Sequence, residues 1–285
     1  METQRIVVGY DGSVEARDAV DWAADEAART GAPLRIVYAY QLAWPAAAMY
    51  GQVTEVLATE AEERGDHTVR DIVEHVRRRR PTVEVTGSAV HAEPAPLLLG
   101  QAAGTRLLVV GNRGGGGMTN LLLGSISQQV ATHARTPVAV VRGRAGTTDG
   151  PVVVGVDGSG STDAALALAF EAAVARGAEV IAVRAYSPPS PAVVPLSAVE
   201  ADERAALEAS LAGWAEKYPG TRLTALLAVG RAARVLVGMS HTAQLVVVGS
   251  RGHGGFTGLL LGSVGQQLMH HAECPILIAH RPDDH

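Results

Sequence analysis

Two glycine-rich segments in this chain have the residue types and spacing to hold a phosphate. Residues 111–130 read GNRGGGGMTNLLLGSISQQV, and residues 249–268 read GSRGHGGFTGLLLGSVGQQL. In each, a Gly-x-x-Gly is followed after nine intervening residues by Gly-Ser: Gly111, Gly114, Gly124 and Ser125, then Gly249, Gly252, Gly262 and Ser263. Glycine lets the backbone approach a ligand closely. A helix opening at Gly-Ser presents free N–H groups and about half a positive charge to an anion. Arg113 and Arg251 lie inside the loops; they either add a cation to the phosphate site or face solvent. The leucine triplets 121–123 and 259–261 read as anchors that pin each loop to its domain.

A second constellation also occurs twice. Asp11-Gly12-Ser13 and Asp157-Gly158-Ser159 each follow an apolar run. A carboxylate just past a strand end accepts hydrogen bonds from ribose hydroxyls or holds a magnesium ion. Asp-Gly is also a common turn dipeptide, but its recurrence beside an identical loop favours the functional reading. Ala39 and Ala185, near the ends of the second apolar runs, leave room for a base.

The chemistry has a limit. Lys217 is the only lysine in the chain and is remote in sequence from either loop. A P-loop NTPase needs a lysine beside its phosphate loop to offset β- and γ-phosphate charge. Neither copy has one, so that class is excluded. Dinucleotide redox chemistry fails too, because no Gly-x-Gly-x-x-Gly follows the first apolar run of either half.

The elements that position these residues follow from periodicity. Ile6–Ser13 matches Val152–Ser159 at a separation of 146 residues, while the glycine loops lie 138 apart. The chain is therefore a duplication, with domains at 1–143 and 151–285 and a polar linker at 144–150. In the first copy strands are expected near Arg5–Tyr10, Leu34–Tyr40, Val83–Val90, Arg106–Val110 and Val138–Arg142. Helices are expected over Glu15–Thr30, Val53–Arg80, Pro94–Ala103 and Ser125–Ala134. The second copy repeats the strands near Val152–Val156, Glu179–Ala185, Arg222–Val229, Leu245–Val248 and Ile276–Ala279. Continuous Val/Ile/Leu strands joined by helices imply parallel sheets covered on both faces. Such sheets are doubly wound, with a ligand crevice at the carboxyl ends of the strands.

Composition narrows the classes further. Of 285 residues 47% are hydrophobic and only 4% aromatic, so aliphatic and alanine packing fills the cores. A net charge of −5 gives no reason to bind nucleic acid or an anionic membrane. No apolar run reaches the ~18 residues of a membrane span, and the expected location is cytoplasmic. Cys274, the single cysteine, reads as a buried packing residue, and His270-His271 diverge on their helix too far to share a metal. Arg77–Arg80 end a helix before Pro81, where cations complement the helix dipole. Residues 50–56 and 187–195 read as loops after the second strand of each copy.

Taken together, these residues resemble the universal stress protein family, in the tandem form common in actinobacteria and in its ATP-binding branch. The resemblance runs from Ile6 to about Ala279. It implies two Rossmann-like α/β domains, each a doubly wound five-stranded parallel sheet of strand order 3-2-1-4-5, with one ATP in each. Asp11 and Asp157 would face the ribose, with magnesium as a further candidate on the same aspartates; Ala39 and Ala185 would face the base. Gly111, Gly114, Gly124 and Ser125, with Gly249, Gly252, Gly262 and Ser263, would hold the phosphates. The flanking Gly9, Val110, Ile126, Gly155, Val248 and Val264, with Arg113 and Arg251, complete the implied contact set. The family pairs domains through their last strands, here Val138–Val141 and Ile276–Ala279, within the chain or in a homodimer. The function implied is a stress-response regulator whose conformation, or binding to a regulatory protein partner, depends on ATP. The alternative is a slow magnesium-dependent ATPase or nucleotide-transferring enzyme.

Overall fold

In the computed structural model, which describes residues 5–41, 51–102, 104–115, 123–187, 196–252 and 261–280, the β-branched runs become sheet strands with no alternation of exposure. Ile6, Val7 and Val8 are all completely buried, which requires cover on both faces and accounts for the unbroken apolar runs. The chain divides into two compact units, Met1–Thr136 and Pro137–His285.

The first unit runs β1 (Arg5–Tyr10), α1 (Val14–Thr30), β2 (Leu34–Tyr40), α2 (Gly51–Arg79), β3 (Val85–His91), α3 (Pro94–Gly100), β4 (Thr105–Gly111) and α4 (Ser125–His133). Its strands lie in the order β3-β2-β1-β4 and are parallel. In register, Val8 of β1 stands between Ile36 of β2 and Val109 of β4. Helix α1 is capped by Ser13, whose Oγ accepts from the Ala16 N–H, and stops at Gly31 with φ 67°. It buries Ala16, Ala19, Ala23, Ala24 and Ala27, small side chains that let the helix lie close on the sheet.

Helix α2 is tied to α1 by charge. His75 Nε2 lies 2.7 Å from Asp21, and Arg80 Nε donates to Asp25 at 2.7 Å, with Arg79 Nη2 at 3.3 Å from the same carboxylate. The arginine run therefore does more than complement a helix end; only Arg78 stays on its own helix, paired with Glu74. Residues 51–56 belong to α2 rather than to a loop. Of the loop expected over 187–195, residues 188–195 lie outside the described residues.

The second unit runs β5 (Val138–Val141), β6 (Val152–Gly155), α5 (Thr162–Arg176), β7 (Val180–Tyr186), α6 (Leu196–Leu211), α7 (Trp214–Lys217), β8 (Leu223–Val229), α8 (Ala232–Ser240), β9 (Leu245–Gly249), α9 (Ser263–His271) and β10 (Ile276–Ala279). Its strand order is β5-β10-β9-β6-β7-β8. Strands β6 to β10 are parallel, and β5 is antiparallel to β10, with Ile276 opposite Val140 and Ile278 opposite Val138. The edge of β10 that would otherwise present unpaired N–H and C=O groups is thus covered. Strands β6 to β10 follow the expected order 3-2-1-4-5, reading β8-β7-β6-β9-β10, and β1 to β4 follow its first four places.

The expected linker is anchored to the second unit. Arg144 donates through its backbone N–H to the Glu273 carbonyl at 2.9 Å and through Nη2 to the carbonyls of Ala243 and Ser240 at 3.1 and 3.3 Å. Arg142 Nη1 reaches the carbonyls of Leu268 and Met269 near the end of α9. The last carbonyls of a helix lack a full set of in-helix partners; that of Leu268 also accepts from the Ala272 N–H at 2.9 Å. Three aromatic residues of this unit gather in one place: Phe170 stacks on Trp214 and Tyr218 at centroid distances of 5.5 and 4.9 Å.

Candidate functional site

The carboxyl ends of β1, β2 and β4 meet at one cavity of about 260 Å³. The end of β1 brings Gly9 and Asp11, β2 brings Ala39, and β4 brings Val110 and Gly111. The loop that follows and the first turn of α4 add Arg113, Gly114, Gly124, Ser125 and Ile126. A second cavity of about 460 Å³ is built in the same way by Gly155, Asp157, Ala185, Val248, Gly249, Arg251, Gly252, Gly262, Ser263 and Val264. The twenty residues of the implied contact set all line one or other cavity.

The turn at the end of β1 is organised by its aspartate. Asp11 Oδ1 accepts from the Ser13 N–H at 3.0 Å and from Ser13 Oγ at 2.6 Å. Its Oδ2 accepts from the Gly115 N–H at 2.8 Å. Asp157 Oδ1 accepts from the Ser159 N–H at 2.9 Å and from Thr162 Oγ1 at 3.0 Å. The same carboxylate crowds the loop in both copies: a methyl group on Gly114 or Gly252 would overlap Oδ2 of Asp11 or Asp157. A methyl on Gly111 would lie 2.8 Å from the Glu15 carbonyl, and one on Gly249 would overlap Ser161. The glycine pair is therefore a steric requirement of this turn and loop.

Helices α4 and α9 differ from α1 at their starts. Both follow a glycine cap, Gly124 or Gly262, that makes no side-chain hydrogen bond to the first turn, whereas α1 is capped by a hydroxyl. The glycine caps are held from outside the helix, Gly124 N–H on the Asn112 carbonyl and Gly262 N–H on the Ser250 carbonyl, each at 2.8 Å. The first-turn N–H groups and their dipole thus face the cavity, which suits an anion. Ser127 Oγ donates to the Gly111 carbonyl at 2.6 Å and locks α4 against the end of β4.

The rest of each wall is apolar. Val37, Ala39, Leu97, Leu98 and Val110 form an apolar slot in the first cavity; Val183, Ala185, Leu236 and Val248 form its counterpart. Leu98 and Leu236 occupy matching places against Gly9 and Gly155. They went unrecognised in the sequence because they sit on a helix far from any motif, although both lie at the spacing of 138 that relates the loops. Ser161 and Thr162 were also missed, and no signal marks them, because the first copy has Glu15 and Ala16 at those positions. Among the described residues no group of three His, Cys, Asp or Glu side chains gathers to hold a metal. A magnesium ion would have one carboxylate in each cavity and would need ligand oxygens for the remainder.

Among the described residues no helix is long and apolar enough to cross a membrane. Sequence comparison matches the Universal stress protein family model twice, over residues 2–142 and 150–280. Two universal stress proteins of Mycobacterium tuberculosis are each 35% identical over 287 residues, covering 96% of this chain and 96% or 95% of the relative. By structure, the chain is similar to a universal stress protein from Archaeoglobus fulgidus, with a TM-score of 0.74 at 16% identity over 99% of this chain and all of that one. A putative universal stress protein from Pseudomonas aeruginosa superposes with a TM-score of 0.68 at 15% identity, over 99% of this chain and 95% of that one. The chain is a tandem-domain member of the universal stress protein family.

Proposed function

We propose that each half of the chain binds one ATP and that the protein is a stress-response regulator whose conformation or partner surface follows nucleotide occupancy. One observation carries this reading: an aspartate turn, a glycine loop, a helix start without a side-chain cap and an apolar slot surround a single cavity, and the set is built twice. The slot suits an adenine, the aspartate a ribose or a magnesium ion, and the helix start the phosphates. Extraction of nucleotide from purified protein and calorimetric titration with ATP test it. Close to two adenine nucleotides per chain is the expected result, and absence of both copurified nucleotide and ATP uptake would reject it.

An enzymatic reading, as a slow ATPase or nucleotide-transferring enzyme, has less support. Lys217 sits on α7 with its Nζ 4.9 Å from the Trp214 ring and 5.5 Å from the Tyr218 ring. Neither ring lines either cavity. Both Asp11 oxygens already accept hydrogen bonds from the protein, which lowers the aspartate's value as a general base.

A further inference from the structure

The two cavities repeat each other in outline but differ in how the turn and the loop are held. In the second, Ser161 and Thr162 line the wall and are almost fully buried, each 5% exposed. Ser161 Oγ donates to the carbonyl of Arg251 in the middle of the glycine loop. Ser159 Oγ lies 3.0 Å from Ser161 Oγ, extending the same chain of hydroxyls back to the aspartate turn. Thr162 Oγ1 accepts from the Gly158 N–H at 3.1 Å and donates to Asp157 Oδ1 at 3.0 Å. Two adjacent hydroxyls thus fasten both sides of the anion site, the turn through Thr162 and the loop through Ser161.

The first copy has no such pair. Its residues at the same register are Glu15 and Ala16; an ionised glutamate has no proton to donate to a carbonyl, and alanine has no hydroxyl. There the contact between turn and loop is the Asp11 carboxylate itself, which accepts from the Gly115 N–H at 2.8 Å. Organisation present before binding raises affinity by removing an ordering cost.

We infer that Ser161 and Thr162 are positioning residues that make the second cavity the tighter of two unequal ATP sites. This rests on the ATP reading of both cavities. The first site, which lacks these two hydroxyls, fills only at higher ATP and is the one that responds to changes in nucleotide concentration.

The test uses the full-length chain and a photoreactive azido-ATP, with peptide mapping to titrate labelling of residues 1–142 and 150–280 separately. In the wild type the second half reaches half-saturation at roughly tenfold lower nucleotide, a difference expected from one or two well-placed hydrogen bonds. Ser161→Ala and Thr162→Ala each move the second half's curve towards that of the first, by about three- to tenfold. The first half's curve stays in place and serves as the folding control within the same molecule. Ser161→Thr and Thr162→Ser keep the hydroxyls and stay within about twofold of wild type. Equal half-saturation of the two halves in the wild type, or alanine variants that leave the second half's curve unmoved, would overturn the inference while leaving ATP binding intact. No saturable labelling of either half would instead reject the ATP reading, and this inference with it.

Discussion

Asp11 and Gly115 are 104 positions apart, yet the carboxylate of one accepts the backbone N–H of the other at 2.8 Å. The contact joins the end of β1 to the loop after β4, the two segments that most plainly repeat in the sequence. It puts a protein anion where the loop geometry favours a phosphate. On the ATP reading, a phosphate that takes this N–H would exchange with the carboxylate rather than simply fill the cavity.

The glycines beside this contact give the most direct test of the loop. In the Gly111→Ala, Gly249→Ala double variant, the first new methyl meets the Glu15 carbonyl and the second meets Ser161. ATP affinity should fall by about ten- to a hundredfold, since steric displacement of roughly an ångström is costly at a close backbone approach. Circular dichroism should show the fold retained. Calorimetry showing wild-type affinity would mean that the loops do not approach the ligand.

Turnover gives a separate test. With no lysine at either loop, ATP hydrolysis should stay well below the ~1–1,000 per second typical of enzymes. A magnesium-dependent phosphate release within that range, abolished by Asp11→Asn together with Asp157→Asn, would move the protein to the enzymatic reading.

Cys274 links the core to pH. It is completely buried, and burial pushes its thiol up to about 12 from an ordinary value of 9.0. The folded chain keeps this proton while the unfolded chain releases it above pH 9.0. Between pH 9.0 and about 12 the folded state therefore binds more protons, so stability falls as pH rises through that window and is unaffected by this group below it. A thiol reagent at pH 8 should leave native Cys274 unmodified and label it only as denaturant unfolds the second unit. Cys274→Ala should flatten the alkaline loss of stability measured by urea titration.

The stacked aromatics of the second unit supply its largest fully buried side chain, Phe170. Phe170→Ala removes the ring that stacks on both Trp214 and Tyr218 and should destabilise this unit by about 3–5 kcal/mol. Denaturant unfolding followed by tryptophan fluorescence reads this directly, because Trp214 reports on the same contact. A loss below about 1 kcal/mol would show that the site refills by collapse.

Much of this molecule was legible in one dimension because it is written twice. The valine-rich runs specify strands buried on both faces, and the spacing of the aspartate turn and glycine loop survives in both copies, since any residue with a Cβ at Gly114 or Gly252 would strike the aspartate. Other decisions needed the third dimension. The arginines at the end of α2 find Asp25 only because α1 and α2 lie side by side, and no local pattern encodes that neighbour. Leu98 and Leu236 become cavity walls only where their helices cross the end of the first strand of each copy. Ser161 and Thr162 have no counterpart in the other half, and their role depends on hydroxyls reaching a carbonyl and a carboxylate brought near by folding. Repetition in the sequence determined what the two sites share. Only tertiary packing decided how they differ, because hydrogen bonds between distant segments exist only once the segments are adjacent.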